Sequence, residues 1–164
     1  MKFHPTIVKA RWQSPLGPMI VAATARGIAG IWFEGQRHMP DHSVWPVQAG
    51  HPLLEKAIEQ LADYFAGRRT DFDLVLDLQG GTPFQQAVWQ ALLAIPRGGT
   101  TSYGTLSQGI GKPAAVRAVG AAVGRNPVSI VVPCHRVLGA DGSLTGYAGG
   151  LDRKTALLKL EGAA

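Results

Sequence analysis

The stretch "SYGTLSQGIGKPAAVRAVGAAVGRN", residues 102–126, contains two short helical patterns separated by Gly109-Ile110-Gly111. Two helices joined by a glycine turn predict a helix-turn-helix. The second helix consists almost entirely of small residues around Arg117 and Arg125. Since it lacks the long polar side chains that read the major groove, it suits either the minor groove of a nucleic acid or close packing inside a protein core. The pattern alone leaves both alternatives open.

Helical patterns also lie on both sides of this pair. Thr82 followed by Pro83 is a helix start signal at the head of "PFQQAVWQALLAIP", residues 83–96. The segment "LDRKTALLKLEG", residues 151–162, predicts a short helix whose leucines pack inward. The second half of the chain therefore predicts a mostly helical structure.

The first half predicts a small sheet covered by a helix. Residues 7–33 mix β-branched residues with turn signals, which is typical of three short antiparallel strands. Residues 51–69 place apolar side chains at helical spacing, with Pro52 suited to the first turn and Gly67 to the C-terminal end. Residues 71–78, "DFDLVLDL", fit either a last edge strand or an extended linker.

These patterns define the predicted fold class, which is α+β. We expect a small N-terminal antiparallel sheet with a helix in residues 1–79, acting as a scaffold domain. A mostly helical C-terminal domain containing the helix-turn-helix is expected in residues 80–164. The boundary is placed near Gly80-Gly81.

The charge distribution supports this division. The chain carries a net charge of +5, and residues 1–79 hold eight basic and eight acidic side chains. Residues 80–164 hold eight basic against three acidic side chains, so the whole excess is in the second half. Such an asymmetry is typical of a phosphate-facing module next to a neutral scaffold, although a basic solvated surface gives the same count.

The single cysteine limits the chemistry and the compartment. One thiol excludes an internal disulfide and any zinc site built from several thiolates. No segment has the apolar run of a membrane span, and the start "MKFHPTIVKARWQSP" lacks the apolar core of a signal peptide. We therefore expect a soluble cytoplasmic protein without metal, in which His38, His42 and His51 are loop residues rather than ligands.

The thiol lies in "IVVPCHRVLGADGSLTGY", residues 130–147, between Pro133 and His135. Neighbouring side chains of a strand point to opposite faces, so Cys134 and His135 cooperate only if the apolar strand predicted for 129–132 ends at Pro133 in a turn. A nearby histidine or cation favours the thiolate, and His135 and Arg136 both follow directly. The alternative is a buried structural cysteine.

The sequence around this thiol resembles the O6-alkylguanine-DNA alkyltransferases. "PCHRV" is similar to the acceptor motif of that family, and "RAVGAAVGRNP", "GTPFQQAVWQAL", "IPRGGTTSYGTL" and "LLKLEG" fit the same family. The resemblance covers residues 80–162 without a gap. Over the first half it is limited to the order of strands and helix and a "YFAG" before the linker.

The resemblance implies a role for each residue of the active site. Cys134 would accept the alkyl group by in-line displacement, with guanine O6 leaving. His135 would take the thiol proton through a water, and Glu161 would orient the imidazole. Asn126 would tie the small-residue helix to the active-site turn, or simply end that helix before Pro127.

The resemblance also implies that the protein binds double-stranded DNA through the minor groove and flips the damaged base out of the stack. Arg117 would fill the vacated space and Tyr103 would crowd the 3′ phosphate, while Ala115, Val116 and Gly120 would lie against the DNA. The base would be held by the carbonyls of Cys134 and Val137 and by amides near Tyr147 and Ala148, with Tyr147 as a wall.

We therefore expect a DNA repair protein that transfers the alkyl group irreversibly to its own Cys134 and acts once. No cofactor, metal or membrane is implied, and the protein is expected to be monomeric, with assembly of several copies along DNA left open. A non-catalytic alkyltransferase-like protein that only binds the lesion is one alternative, although such proteins typically replace the cysteine. A cysteine hydrolase with true turnover is the other.

Overall fold

The computed structural model describes residues 1–163. The chain divides into two compact units. The first contains Met1–Gly80 and the short segment Pro127–Ser129, and the second contains Gly81–Asn126 and the described residues from Ile130 onward. The first unit therefore takes three residues from the middle of the second half of the chain.

The first unit is built on a three-stranded antiparallel sheet. Its strands are β1 (Val8–Ser14), β2 (Gly17–Thr24) and β3 (Gly27–Phe33), in the order β1-β2-β3. All seven residues of β3 are buried. The three predicted strands are thus confirmed. Two-residue turns join them, and the glycine after each turn, Gly17 and Gly27, has a positive φ of 114° and 149°.

Helix α1 (Pro52–Phe65) packs on this sheet. The ring of His51 accepts a hydrogen bond of 3.2 Å from the amide of Leu53, and Gly67 ends the helix region with a φ of +76°. Residues 71–78 are extended and make a single bridge, Leu76 with Ile28. Of the two alternatives for this segment, the structure has the linker.

The second unit contains four α-helices in the part of the chain that the structure describes. They are α2 (Pro83–Leu92), α3 (Tyr103–Gly109), α4 (Val116–Gly124) and α5 (Leu151–Leu160). A short parallel pair, β4 (Thr101–Ser102) and β5 (Val137–Leu138), joins the segment before α3 to the segment after the cysteine. The α+β class is confirmed.

The helix-turn-helix consists of α3 and α4, which pack against each other. Helix α4 begins at Val116, whereas the sequence pattern started it at Lys112. The amide of Lys112 instead bonds to the carbonyl of Ser107, and the amide of Ala115 bonds to the carbonyl of Lys112. Pro113 has no amide to donate, so residues 112–115 form a turn that separates the two helices.

The small residues of α4 serve the core on one face. Val119, Ala122 and Val123 are buried, and the indole of Trp89 donates a hydrogen bond of 2.8 Å to the carbonyl of Ala122. Arg117 is exposed. The core-packing interpretation therefore holds for one side of the helix and leaves the other side accessible.

The prediction of a strand over residues 129–132 is wrong. This apolar run forms turns, and Ile130 has a φ of +73°, a left-handed conformation outside the β region. No helix in the described residues is long and apolar enough to cross a membrane.

Candidate active site

The cysteine lies at the start of a single turn of 3₁₀ helix, Cys134–Arg136. Pro133 precedes it with φ −84° and ψ 63°, and the amide of Arg136 bonds to the carbonyl of Pro133 at 3.0 Å. The turn that the Cys-His pair requires is therefore present, although turns rather than a strand lead into it. Cys134 is 6% exposed.

His135 forms a buried pair with Glu161. Its Nε2 lies 2.8 Å from Oε2 of the carboxylate, and both side chains are fully buried. Glu161 occupies the C-terminal cap of α5. Because a carboxylate only accepts, the proton of the neutral imidazole is on Nε2. Nδ1 is buried without a hydrogen-bond partner among the described residues, so its lone pair is available as a base.

Arg136 is directed at Glu161. Its Nε donates to Oε1 at 2.8 Å and its Nη2 to Oε2 at 2.9 Å, while Nη1 donates to the carbonyl of Ile95 at 2.6 Å. The sequence suggested Arg136 only as a cation beside the thiol. The structure instead gives it a bidentate ion pair with the carboxylate.

Lys154 is the buried residue of this site that sequence reasoning missed. Its side chain is fully buried, and Nζ donates to the carbonyls of Val137 at 2.6 Å, Thr145 at 3.0 Å and Gly146 at 3.3 Å. These acceptors match the three N–H donors of an ammonium. Burial lowers the pKa of Lys154, against the opposing effect of Cys134. The signal was available, since Lys154 stands three and four residues before Leu157 and Leu158, on the apolar face of α5.

Burial dominates the titration of the thiol and the imidazole. It raises the pKa of Cys134, and the hydrogen bond from Asn126 and the charge of Lys154 act in the opposite direction. Burial also lowers the pKa of His135. Glu161 acts to raise this pKa, whereas the charges of Arg136 and Lys154 lower it further. The resting pair is therefore a neutral thiol beside a neutral imidazole.

Asn126 is buried two residues after the end of α4. Its Nδ2 donates a hydrogen bond of 2.7 Å to the carbonyl of Val132, just before Pro133. The amide side chain thereby joins the C-terminal end of α4 to the turn that holds the thiol.

The residues expected at the DNA lie on α3 and α4. Tyr103 begins α3, directly after strand β4, whose pairing with β5 sets Thr101 opposite Val137. A Cβ on Gly120 would lie 3.7 Å from the ring of Tyr103, so the tyrosine packs on the glycine. Arg117 and Val116 are exposed in the first turn of α4, and Ala115 precedes them, half-buried.

The expected base pocket lies around β5 and the segment before α5. The carbonyl of Cys134 accepts from the amide of Val137, and the carbonyl of Val137 accepts from Lys154. Each carbonyl has a second lone pair. Tyr147 and Ala148 are half-buried. No group of three or more potential metal-ligating side chains occurs among residues 1–163.

Together these features define a class of protein: a helix-turn-helix protein whose only thiol is buried next to a histidine–glutamate pair in the same unit. Two family models cover nearly the whole chain. The model described as "6-O-methylguanine DNA methyltransferase, DNA binding domain" matches residues 83–163, and the model described as "6-O-methylguanine DNA methyltransferase, ribonuclease-like domain" matches residues 7–78. The chain belongs to the 6-O-methylguanine DNA methyltransferase family, which confirms the resemblance found in the sequence.

Individual relatives agree with this assignment. A protein of Mycobacterium tuberculosis (strain ATCC 25618 / H37Rv) named methylated-DNA--protein-cysteine methyltransferase is 50% identical over 149 residues, which cover 91% of this chain and 88% of the relative. A Methanosarcina acetivorans protein of the same name is 46% identical over 154 residues, covering 93% and 97%.

Solved structures are similar as well. The crystal structure of Mycobacterium tuberculosis OGT in complex with DNA matches with a TM-score of 0.86 and 48% identity, covering 93% of this chain and 91% of that one. The O6-methylguanine-DNA methyltransferase of Pyrococcus kodakaraensis strain KOD1 matches with a TM-score of 0.65 and 27% identity, covering 95% and 99%.

Proposed function

We propose that this protein is a methylated-DNA--protein-cysteine methyltransferase that repairs O6-alkylguanine in duplex DNA by moving the alkyl group onto Cys134. The observation that supports this most strongly is that Cys134 directly precedes His135 in one 3₁₀ turn and that His135 pairs with Glu161, in the unit that also contains the helix-turn-helix. A nucleophile, a base and an orienting carboxylate are the groups that covalent catalysis requires.

The chemistry is a displacement at carbon. The thiol proton passes through a water to Nδ1 of His135, while Glu161 holds the Nε2 proton and stabilises the imidazolium that forms. The sulfur of Cys134 then forms a bond to the alkyl carbon as the bond from that carbon to guanine O6 breaks. The guanine leaves with the electron pair and takes up a proton to restore the normal base.

The product explains why each molecule acts once. A thioether has no good leaving group, so no step in this site returns Cys134 to a thiol. The reaction consumes the protein and requires no cofactor. This separates the proposal from a cysteine hydrolase, in which water releases the acyl group and the enzyme turns over.

The alkyltransferase-like alternative is weaker for this chain. Such a protein binds the lesion without chemistry and needs neither a nucleophile nor a base. Here the cysteine is present, and His135 has a base nitrogen with no hydrogen-bond partner among the described residues. A lesion-binding protein gives no reason for this arrangement.

DNA binding is assigned to α3 and α4. The whole net charge of +5 lies in residues 80–164, which matches a polyanionic partner. Ala115 and Gly120 carry little side-chain bulk and Val116 is exposed beside Arg117. This face of α4 fits the narrow minor groove, where Arg117 would enter the stack. Tyr103, packed on Gly120, would crowd the phosphate next to the flipped nucleotide.

The flipped base would occupy the space between the thiol and the segment before α5. The second lone pairs of the Cys134 and Val137 carbonyls would accept from the guanine 2-amino group, and amides near Tyr147 and Ala148 would lie near O6. Residues 1–79 would serve as the scaffold domain and 80–164 as the domain that binds DNA and reacts. We place the protein in the cytoplasm as a monomer.

Stoichiometry tests the proposed reaction. Duplex DNA with a radiolabelled methyl group on guanine O6, in excess over protein, should transfer about one methyl per chain and then stop, as expected of a nucleophile that is not regenerated. Transfer that continues past one equivalent would support turnover and contradict the proposal. Tight binding of the same duplex without any transfer would favour the lesion-binding alternative.

The choice of groove has its own test. Netropsin occupies the minor groove of A·T-rich DNA, so it should displace the protein from an A·T-rich duplex, while a ligand confined to the major groove should not. The opposite order of competition would contradict the minor-groove assignment without affecting the assignment of the thiol.

A further inference from the structure

The guanidinium of Arg136 donates three buried hydrogen bonds. Its Nε and Nη2 hold the two oxygens of Glu161 at 2.8 and 2.9 Å, and Nη1 holds the carbonyl of Ile95 at 2.6 Å. The guanidinium side chain is 8% exposed and the carboxylate is fully buried. A bidentate pair of this kind fixes the plane of the carboxylate as well as its charge.

The same carboxylate serves His135. Oxygen Oε2 is shared, because it accepts from Nη2 of Arg136 and lies 2.8 Å from Nε2 of His135. The charge of Glu161 is therefore balanced by the guanidinium in its bidentate pair. Lys154 of α5 is the other charged group that acts on the imidazole, in the same direction as Arg136. The remaining titratable neighbour is Cys134, which precedes His135 in the 3₁₀ turn.

This balance matters because a base must be unprotonated before it acts. A carboxylate without a partner, at hydrogen-bond distance in a buried site, raises the pKa of a neighbouring imidazole by about one to three pH units. Here the pKa of His135 lies below its ordinary value, because of burial first and of Arg136 and Lys154 in addition. Nδ1 therefore keeps its lone pair at neutral pH.

We propose that Arg136 is a positioning residue, which balances and orients Glu161 so that His135 stays a neutral imidazole with its proton on Nε2 and a free lone pair on Nδ1. The inference rests on the proposed function, in which Nδ1 takes the thiol proton. The active site then consists of four residues, Cys134, His135, Glu161 and Arg136, and the carboxylate of Glu161 is paired with a guanidinium.

The test is the pH dependence of alkyl transfer in variants at Arg136. Single-turnover transfer from O6-benzylguanine as a free base avoids any effect on DNA binding. In Arg136→Met the acid limb of the rate profile should move up by about one pH unit or more, since the uncompensated carboxylate then favours the imidazolium. The rate deficit should be largest at about pH 5 to 6 and should shrink as the pH rises.

Three further variants separate charge balance from folding. Arg136→Lys keeps the charge without the bidentate geometry, so its acid limb should lie between those of the parent and Arg136→Met. The double variant Arg136→Met/Glu161→Gln leaves no buried unpaired carboxylate, and its acid limb should return to the parent position or lie below it. Arg68→Gln removes an exposed pair with Asp63 in the first unit and should leave the profile unchanged.

The outcomes are distinct. An equal rate loss at every pH in the Arg136 variants, or an acid limb that does not move, would overturn the proposal and leave Arg136 with a structural role only. The titration of the His135 ring, followed by NMR and assigned with His135→Gln, should show the same shifts without any alkyl transfer. If the parent protein transfers no alkyl group to Cys134, the proposed function fails, while the NMR titration still decides the role of Arg136.

Discussion

The ammonium of Lys154 donates a hydrogen bond of 2.6 Å to the carbonyl of Val137, three residues after the thiol. Two further carbonyls, those of Thr145 and Gly146, complete its coordination. One buried side chain of α5 therefore holds both ends of the segment that follows the active-site turn. Among residues 1–163 no carboxylate forms a salt bridge with this ammonium, and its charge acts to lower the pKa of Cys134, against the larger effect of burial.

Replacing Lys154 by methionine should make the thiol less acidic. The charge of Lys154 acts to lower the pKa of Cys134, so its loss raises that pKa further and reduces the thiolate fraction at neutral pH. Alkylation of the single cysteine by iodoacetamide at neutral pH should slow by about tenfold for each unit by which the pKa of Cys134 rises. At high pH, where the thiol is ionised in both proteins, the variant should approach the parent rate. Lys159→Met, exposed on the same helix, is the matched control. Equal rates for Lys154→Met and the parent at neutral pH would show that Lys154 does not act on the thiol.

The His135–Glu161 pair should control the rate of chemistry and leave DNA affinity nearly intact. His135→Ala removes the base, and Glu161→Gln removes the charge that stabilises the imidazolium. Alkyl transfer at neutral pH should slow by about tenfold to ten-thousandfold, the usual range for general base catalysis. Single-turnover rates and fluorescence anisotropy with methylated duplex measure the two effects separately. Parent-like rates in both variants would remove the pair from the mechanism.

Asn126 should be needed for the geometry of the thiol turn. In Asn126→Ala the buried carbonyl of Val132 loses its donor, which costs about 1–3 kcal/mol of unfolding free energy. The loosened turn should also slow alkyl transfer. Urea unfolding and single-turnover assays are the measurements, with Gln90→Ala on the exposed side of α2 as the control for loss of an amide. If Asn126→Ala is as stable and transfers alkyl groups as fast as the control, the hydrogen bond from Asn126 is not needed to hold the thiol turn.

Base flipping and chemistry should separate at Arg117. Extruding a paired base costs a few kcal/mol, so Arg117→Ala should slow repair of duplex DNA by about ten to a thousandfold. A free base such as O6-benzylguanine needs no extrusion and should react at close to the parent rate, because Arg117 is exposed on α4. Arg125→Ala is the control for loss of one basic charge. Equal losses on free base and duplex would mean that Arg117 supports the pocket instead.

The sequence predicts the elements of this fold well where local signals agree. The turns of the β1–β3 sheet, the Thr82-Pro83 start of α2 and the Pro52 start of α1 each combine hydrophobic periodicity with a turn or cap residue. The prediction fails at residues 129–132, whose β-branched composition is typical of a strand. Tertiary contacts override it there, since Ser129 bonds to Ile31 in the first unit and Asn126 bonds to the carbonyl of Val132.

The site was only partly predictable for a similar reason. Cys134 and His135 stand together in the sequence, and the resemblance supplied Glu161. The partners of Arg136 lie 25 and 41 residues away in the chain, and those of Lys154 lie 8 to 17 residues away. Single-sequence patterns do not report such distant pairings. A lysine on the apolar face of a helix was the one local signal that a charge is buried there.

The identity of the methylated atom tests the central claim most directly. After incubation with an excess of duplex containing O6-methylguanine, intact-mass analysis should show that every active chain has gained one methyl group in place of a hydrogen. Peptide mapping should locate that group on Cys134, and Cys134→Ser, which keeps the size of the side chain, should gain none. A methyl group on any other residue, or repair of the duplex by an unmodified protein, would contradict the account.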